Sequence, residues 1–248
     1  MSAVFNPGAR PADEPTEAAA AEHVREIFDS IAPSYDLLNH LLSMGLDRHW
    51  WARSARAFQP TLQNPNARIL DICCGTGDMT AALLAFRTPQ AEPVIGLDFS
   101  AAMLDLARKK YSAANALWVE GDAMHLPYAD NSFDLVTSAF GFRNLSNYST
   151  GLAEIYRVLK PGGSLGILDC NQPSGLSGAL YTLYFRCGLP LIGGLISGDW
   201  AAYRYLPASV ARFPRPPRML TMLTQTGFSD CAWSGYFMRA AGLYRAKK

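Results

Sequence analysis

Between Arg68 and Thr80 the chain reads RILDICCGTGDMT, and the next apolar run, PVIGLD, ends on the carboxylate of Asp98. This pairing constrains the fold more than any other feature. A short apolar strand runs into a Gly-Thr-Gly turn, a helix follows, and a second strand delivers an acid. That is a βαβ nucleotide-binding unit, in which glycines let the backbone approach a ligand closely and the acid takes ribose hydroxyls. Asp98 lies 21 residues beyond Gly77, close to the ~20 expected of a ribose-binding acid.

The turn also separates ligand classes. A dinucleotide site wants a third glycine, because the pyrophosphate must sit on the helix N-terminus. Here Thr80 stands at that position, and Asp78 follows Gly77 directly. A carboxylate at the helix start repels phosphate, which disfavours a nicotinamide dinucleotide. A cationic nucleoside without phosphates suits the turn better, and S-adenosylmethionine (SAM) is such a ligand. Its sulfonium and ammonium would lie near Asp71 and Asp78, beside the turn of Gly75, Thr76 and Gly77. The competing reading is a β-turn that binds nothing, which Asp98 in register makes the weaker one.

The chain has 248 residues, 49% of them apolar, enough for one substantial α/β domain. Its 22 basic and 21 acidic residues leave a net charge of +1, so no sign bias points to nucleic acid. The five cysteines, Cys73, Cys74, Cys170, Cys187 and Cys231, have no metal-ligand spacing. Their odd count, with no targeting pattern, points to the reducing cytosol. Residues 1–21, rich in Pro, Ala and Glu, read as a flexible leader. Leu176 to Ile196 is the most hydrophobic stretch, but Arg186, Pro190 and several glycines interrupt it. It makes a poor membrane span and reads as a buried or surface-seeking helical segment.

From 22 to 60 apolar residues recur at helical spacing and predict a cap of short helices broken at Pro33 and Gly45. Strand signals at 68–73, 93–98, 116–120, 133–139 and 164–170 then alternate with helical ones at 79–86, 101–111 and 149–159. An apolar insertion follows over 172–213, then a helix at 217–226 and two closing strands at 228–236 and 237–246. The expected fold is one α/β domain over 22–248. It is Rossmann-like, with a mostly parallel seven-stranded sheet and helices on both faces. Asp71, Gly75, Asp98, Asp122, Ala139 and Asp169 fall at strand ends and should share one rim. Asp122-Ala123 is placed to accept an adenine amino group, with Leu126 and Pro127 as ring walls; taken alone, Asp122 is a turn cap. The RVLKPGG run reads as a structural turn.

The order LDICCGTGD, GLDFS, EGDAMHLPYADNSFD and RVLKPGG resembles the class I SAM-dependent methyltransferases. Three further stretches sharpen the match: IFDSIAPSYDLLNHLLSMGLDRHWW, SAFGFRNL and YRYLPASVARFP. With them the chain resembles the ubiquinone/menaquinone biosynthesis C-methyltransferases of the UbiE/MenG type, over about residues 22 to 246. The resemblance implies SAM contacts at Thr76, Asp98, Asp122 and Ala123. A further contact, usually Ser, falls on Ala139, so that bond is lost or taken by Ser138. Asp169, Cys170 and Asn171 depart from the family's Glu-Phe-Ser at the pocket floor.

The resemblance also implies methyl transfer to a ring carbon of a prenylated quinol, most simply demethylmenaquinol giving menaquinol, with the ubiquinone-pathway benzoquinol as the other acceptor. It makes Tyr35, Arg143 and Asn144 the catalytic candidates. Arg143 is too basic to take a proton; it would stabilise a developing phenolate, directly or through water, with Asn144 orienting that water and Tyr35 completing the network. The plainer readings are a helix cap for Tyr35, an ion pair for Arg143 and a turn for Asn144. His49 and His125 rank lower as bases. The segment 176–196 would accept the prenyl tail as an apolar lid, with peripheral membrane contact, and near-zero net charge argues against electrostatics as its main force. Two rivals stand: a methyltransferase for an O- or N-acceptor, and a SAM-binding module without turnover. Oligomeric state is open.

Overall fold

The computed structural model describes residues 8–9, 14–43, 45–173 and 200–248. At the sheet centre lies β1 (Ile69–Ile72), buried along its whole length, as a strand covered on both faces must be. It pairs in parallel with β2 (Val94–Asp98) on one side and β4 (Phe133–Ala139) on the other. Outward from these lie β3 (Ala116–Glu120) and β5 (Leu159–Cys170), both parallel. The hairpin of β6 (Ser229–Tyr236) and β7 (Ala241–Lys247) adds antiparallel through β7 to β5, giving the order β3-β2-β1-β4-β5-β7-β6. The expected mostly parallel seven-stranded sheet is thus present, and its order reverses between β1 and β4, where α/β sheets bind ligands.

One boundary differs. The Lys160–Gly163 turn does not precede β5 but lies inside it. Phe133 pairs with Leu159, and the register then shifts so that Leu135 pairs with Ser164. Gly162, at φ +78°, absorbs the excursion.

Both faces are covered. On one, Tyr148, Leu152 and Ile155 of α7 (Tyr148–Val158) and Met219 and Leu223 of α9 (Pro216–Thr226) bury Phe133, Leu165 and Tyr244. On the other, Trp51 and Ala55 of α3 (Leu46–Arg56) and Met79 and Leu83 of α5 (Asp78–Leu84) bury Ile69, Val94 and Leu135. Caps start the helices where Ser/Asn chemistry predicts: the Ser100 hydroxyl accepts from Met103 N in α6 (Ala101–Lys110), and the Asn147 side chain from Thr150 N in α7.

The cap consists of α1 (Glu17–Ile31), a 3₁₀ turn at Pro33, α2 (Tyr35–Leu42), α3 and α4 (Gln59–Leu62). α1 begins inside the stretch read as leader. Thr16 caps it, accepting from Ala19 N, and Ala20 is buried. An N-cap threonine followed by an alanine run is a strong helix signal, and it outweighs the nearby prolines. Further upstream, Ala9 N donates to Leu145 O at 2.8 Å. Val24 of α1, Ala9 and Tyr205 of α8 (Trp200–Arg212) form a small separate core. Residues 174–199, which hold the predicted apolar lid, lie outside the described residues. Among the described residues no helix is long and apolar enough to cross a membrane.

Candidate functional site

The turn after β1 needs its glycines. Gly75 and Gly77 have φ of +54° and +88°, where a side chain is strained. A Cβ on Gly77 would also come within 2.5 Å of the Trp118 ring. Gly75 N donates to Asp98 Oδ2 at 2.8 Å and Ser100 N donates to Oδ1 at 3.0 Å. The acid at the end of β2 thereby locks the turn at the end of β1. Burial outweighs these bonds and pushes the Asp98 carboxyl up to about 6.

Against this turn lies a cleft of about 670 Å³ that brings together Tyr35, Gly75, Asp98, Asp122, Ala123, Ala139 and Asn144. Phe28, Leu97, Phe99, Met103 and Met124 give it apolar walls. Leu126 does not; it packs into the core behind. Asp122 is both cap and cleft residue. Its Oδ1 accepts from Met124 N and its Oδ2 meets His125 Nδ1, each at 2.8 Å.

Other predicted residues stand outside the cleft. Asp71 is fully buried, with Oδ2 accepting from Thr80 Oγ1 at 2.7 Å and Oδ1 from Thr137 Oγ1 at 2.8 Å. It fastens β1 to α5 and β4, and burial pushes its carboxyl up to about 7. Thr80, which replaces the third glycine, thus holds an acid. Thr76 donates to Asp36 Oδ1 at 2.6 Å. Asp36 and Asp78 share Lys110, at 2.6 and 2.8 Å, and Tyr111 OH donates to Asp78 at 2.7 Å. Neither Asp71 nor Asp78 is among the residues that line the cleft. Asp71 is enclosed, and the charge of Asp78 is already paired. The Asp36–Lys110–Tyr111 network escaped the sequence reading. Asp36 lies in the SYDLLN run, but its partner Lys110 lies 74 residues away.

Arg143 sits behind the cleft wall. Its backbone N donates to Asp169 Oδ2 at 3.0 Å, its Nη1 donates to Asp169 Oδ1 at 2.9 Å, and Nη1 also meets Phe140 O. The ion-pair reading holds, with a strand-end acid as partner. Burial opposes the charge on Arg143, and the Asp169 carboxylate prevails, holding the guanidinium above its ordinary value. Asn144 does face the cleft; Tyr205 OH donates to its Oδ1 at 3.0 Å. Burial pushes the Tyr35 phenol up to about 12, so it is a proton donor, not a base, at neutral pH. Ser138, neighbouring Ala139 along β4, points by strand alternation to the opposite face of the sheet, and only Ala139 of the two lines the cleft. Asn171 accepts from Tyr244 OH at 2.7 Å, away from the cleft.

The profile of the ubiE/COQ5 methyltransferase family matches residues 16–248. A demethylmenaquinone methyltransferase of Deinococcus radiodurans is 52% identical over 208 residues, 83% of this chain and 84% of that one. One from Thermus thermophilus is 48% identical over 206 residues, covering 82% and 91%. Among solved structures, a SAM-dependent methyltransferase from Thermotoga maritima superposes with a TM-score of 0.63 over 90% of this chain and 99% of that chain. At 20% identity that likeness speaks for the fold alone.

Proposed function

The chain belongs to the ubiE/COQ5 methyltransferase family, and from that premise we propose that it methylates a ring carbon of demethylmenaquinol, giving menaquinol, with SAM as methyl donor. One observation carries the reading: a single cleft joins a nucleoside end, at Gly75, Asp98, Asp122 and Ala123, to an aromatic end with polar groups, at Phe28, Tyr35 and Asn144. The relatives named for this reaction support the choice of acceptor.

The residues present fit a nucleoside. Asp98 holds two backbone N–H groups and keeps lone pairs for ribose hydroxyls. Asp122, with its side chain 47% exposed, offers an acceptor to an adenine amino group. Bound SAM supplies an electrophilic methyl on its sulfonium. The protein's task is then orientation, which can offset ~7–11 kcal/mol of a barrier, and stabilisation of negative charge on the quinol oxygen. Tyr35 donates from a phenol that stays protonated. In Asn144 the Oδ1 is occupied by Tyr205 OH, and Nδ2 makes only a long 3.5 Å contact to Phe140 O, so Nδ2 serves as the second donor. Arg143 acts as a positioning residue, pairing with Asp169 to hold the turn that carries Asn144. The prenyl tail keeps the substrate in lipid, so the quinol head enters from a membrane surface.

The carboxyl of Asp98 makes donor binding pH-dependent. With a value of about 6, its ionised fraction falls from roughly 0.9 near pH 7 to roughly 0.1 near pH 5. SAM affinity, read by titration calorimetry, should fall about fivefold or more across that window. Stability of the free protein moves the other way. A carboxyl raised by folding contributes most below its unfolded value and loses that contribution as pH rises through about 4 to 6. An affinity flat over the window would remove Asp98 from the ribose site.

The acceptor is tested anaerobically with labelled SAM, offering demethylmenaquinol, its oxidised form and a demethylated benzoquinol. Only reduced rings should gain label, because the oxidised ring has no hydroxyl proton to release. Equal labelling of the oxidised quinone would refute the phenolate mechanism, and label on oxygen or nitrogen would refute C-methylation.

A further inference from the structure

Phe237 and Met238, 51% and 62% exposed, form the tip of the β6–β7 hairpin. Ala241, just after the tip, pairs with Cys170 at the end of β5, and Asn171 N donates to Ala240 O. The tip therefore stands at the carboxyl edge of the sheet, the edge on which the cleft opens. Its backbone is unusual. Phe237, Met238 and Arg239 take φ of +34°, +53° and +68° in succession, with no glycine. Residues with a Cβ are disfavoured there, and Gly or Asn would sit with less strain. Two unfavourable features, apolar exposure and left-handed backbone, thus coincide at one tip, which makes function a reasonable source.

Positive charge flanks it. The Arg53 guanidinium lies 4.4 Å from the centre of the Tyr236 ring, and that of Arg239 lies 5.9 Å from Trp233. Ser54 of α3 meets Tyr236 OH at 3.3 Å, so α3 packs beside the tip. The exposed residues of α3 include Arg48, His49, Arg53 and Arg56. Its single acid, Asp47, is buried and bonded to His40. The net charge of +1 averages away this local basic surface.

We propose that the hairpin tip and the exposed arginines of α3 dock on an anionic phospholipid bilayer. Phe237 and Met238 would enter the acyl boundary, and Arg53, Arg56 and Arg239 would meet lipid phosphates. A nucleic acid would satisfy the arginines but leave the two apolar side chains against phosphate. The inference deepens the proposed function, since docking brings the cleft to a lipid-borne quinol. It rests on that reading only for its purpose, because vesicle binding is read without methyl transfer.

The test is co-sedimentation of the full chain with vesicles of phosphatidylcholine, with and without phosphatidylglycerol. The protein should bind the anionic vesicles and release as salt rises. Phe237→Asn with Met238→Asn should lower the bound fraction at least about fivefold. Asparagine tolerates left-handed backbone, so Tm should hold or rise, and turnover of a soluble short-chain demethylated quinol should be unchanged. Arg53→Glu with Arg56→Glu should erase the preference for anionic vesicles, and this pair decides the matter if the asparagine pair fails to fold. The proposal is overturned if the unmodified protein ignores anionic vesicles, if either pair binds them as the unmodified protein does, or if the tip substitutions instead change the protein's own association state, which would identify a second copy as the occupant. Vesicle binding with no methylation of the short-chain quinol would support this surface and count against the proposed reaction.

Discussion

Arg143→Ala is expected to destabilise the protein by about 3–5 kcal/mol, the scale for stranding one partner of a buried ion pair. Asp169 is fully buried and accepts from Arg143 N, the Arg143 guanidinium and Cys170 N. Removing the guanidinium leaves its carboxylate uncompensated, and the turn from Phe140 to Asn144 loses its anchor. Denaturant unfolding should show the loss of stability, and kcat should fall far more than SAM affinity because Asn144 is displaced while Asp98 is untouched. Replacing both partners, Arg143→Met with Asp169→Leu, removes the stranded charge and should recover much of the stability. Turnover should recover less, since the backbone bond from Arg143 N is also lost. Arg143→Ala with unaltered unfolding and kcat, or with its main effect on SAM affinity, would overturn the positioning role.

Asp98→Ala is expected to act on the other half of the reaction. Each hydrogen bond to a charged acceptor contributes about 1.5–3 kcal/mol, so losing the ribose contacts should weaken SAM binding at least about 100-fold. The Gly75 and Ser100 N–H groups also lose their acceptor, which loosens the turn. Stability should change less than affinity, because removing a buried carboxyl also relieves its desolvation. Asp98→Asn keeps one oxygen and should fall between. Calorimetric titration reads all three proteins, and a SAM Kd within about threefold of the unmodified value would exclude Asp98 from the donor site.

The five parallel strands were legible because each is a short apolar run with its own turn signals. The expected span 93–98 and the observed Val94–Asp98 differ by one residue. The Gly-Thr-Gly turn was legible for the same reason, since positive φ is a local demand that glycine meets. Asp98 and Asp122 line the cleft, and their place just after strands is a feature of the sequence. The start of α1 and the internal turn of β5 were less legible, because a Pro-, Ala- and Glu-rich composition masks the Thr16 cap and a turn motif conceals continued strand pairing.

What the chain determines by itself is therefore local: where backbone bends, which runs are buried, and which acids end on the sheet's rim. Only the tertiary structure decides which of those acids lines the cleft. Asp71 and Asp98 look alike along the chain, yet Thr80 and Thr137 enclose the first while the second faces the cleft. Asp78 finds Lys110 32 residues away, and Arg143 finds Asp169 26 residues away. A strand or turn follows from neighbours a few residues apart, whereas the charge a site presents depends on partners that only folding brings within hydrogen-bond reach.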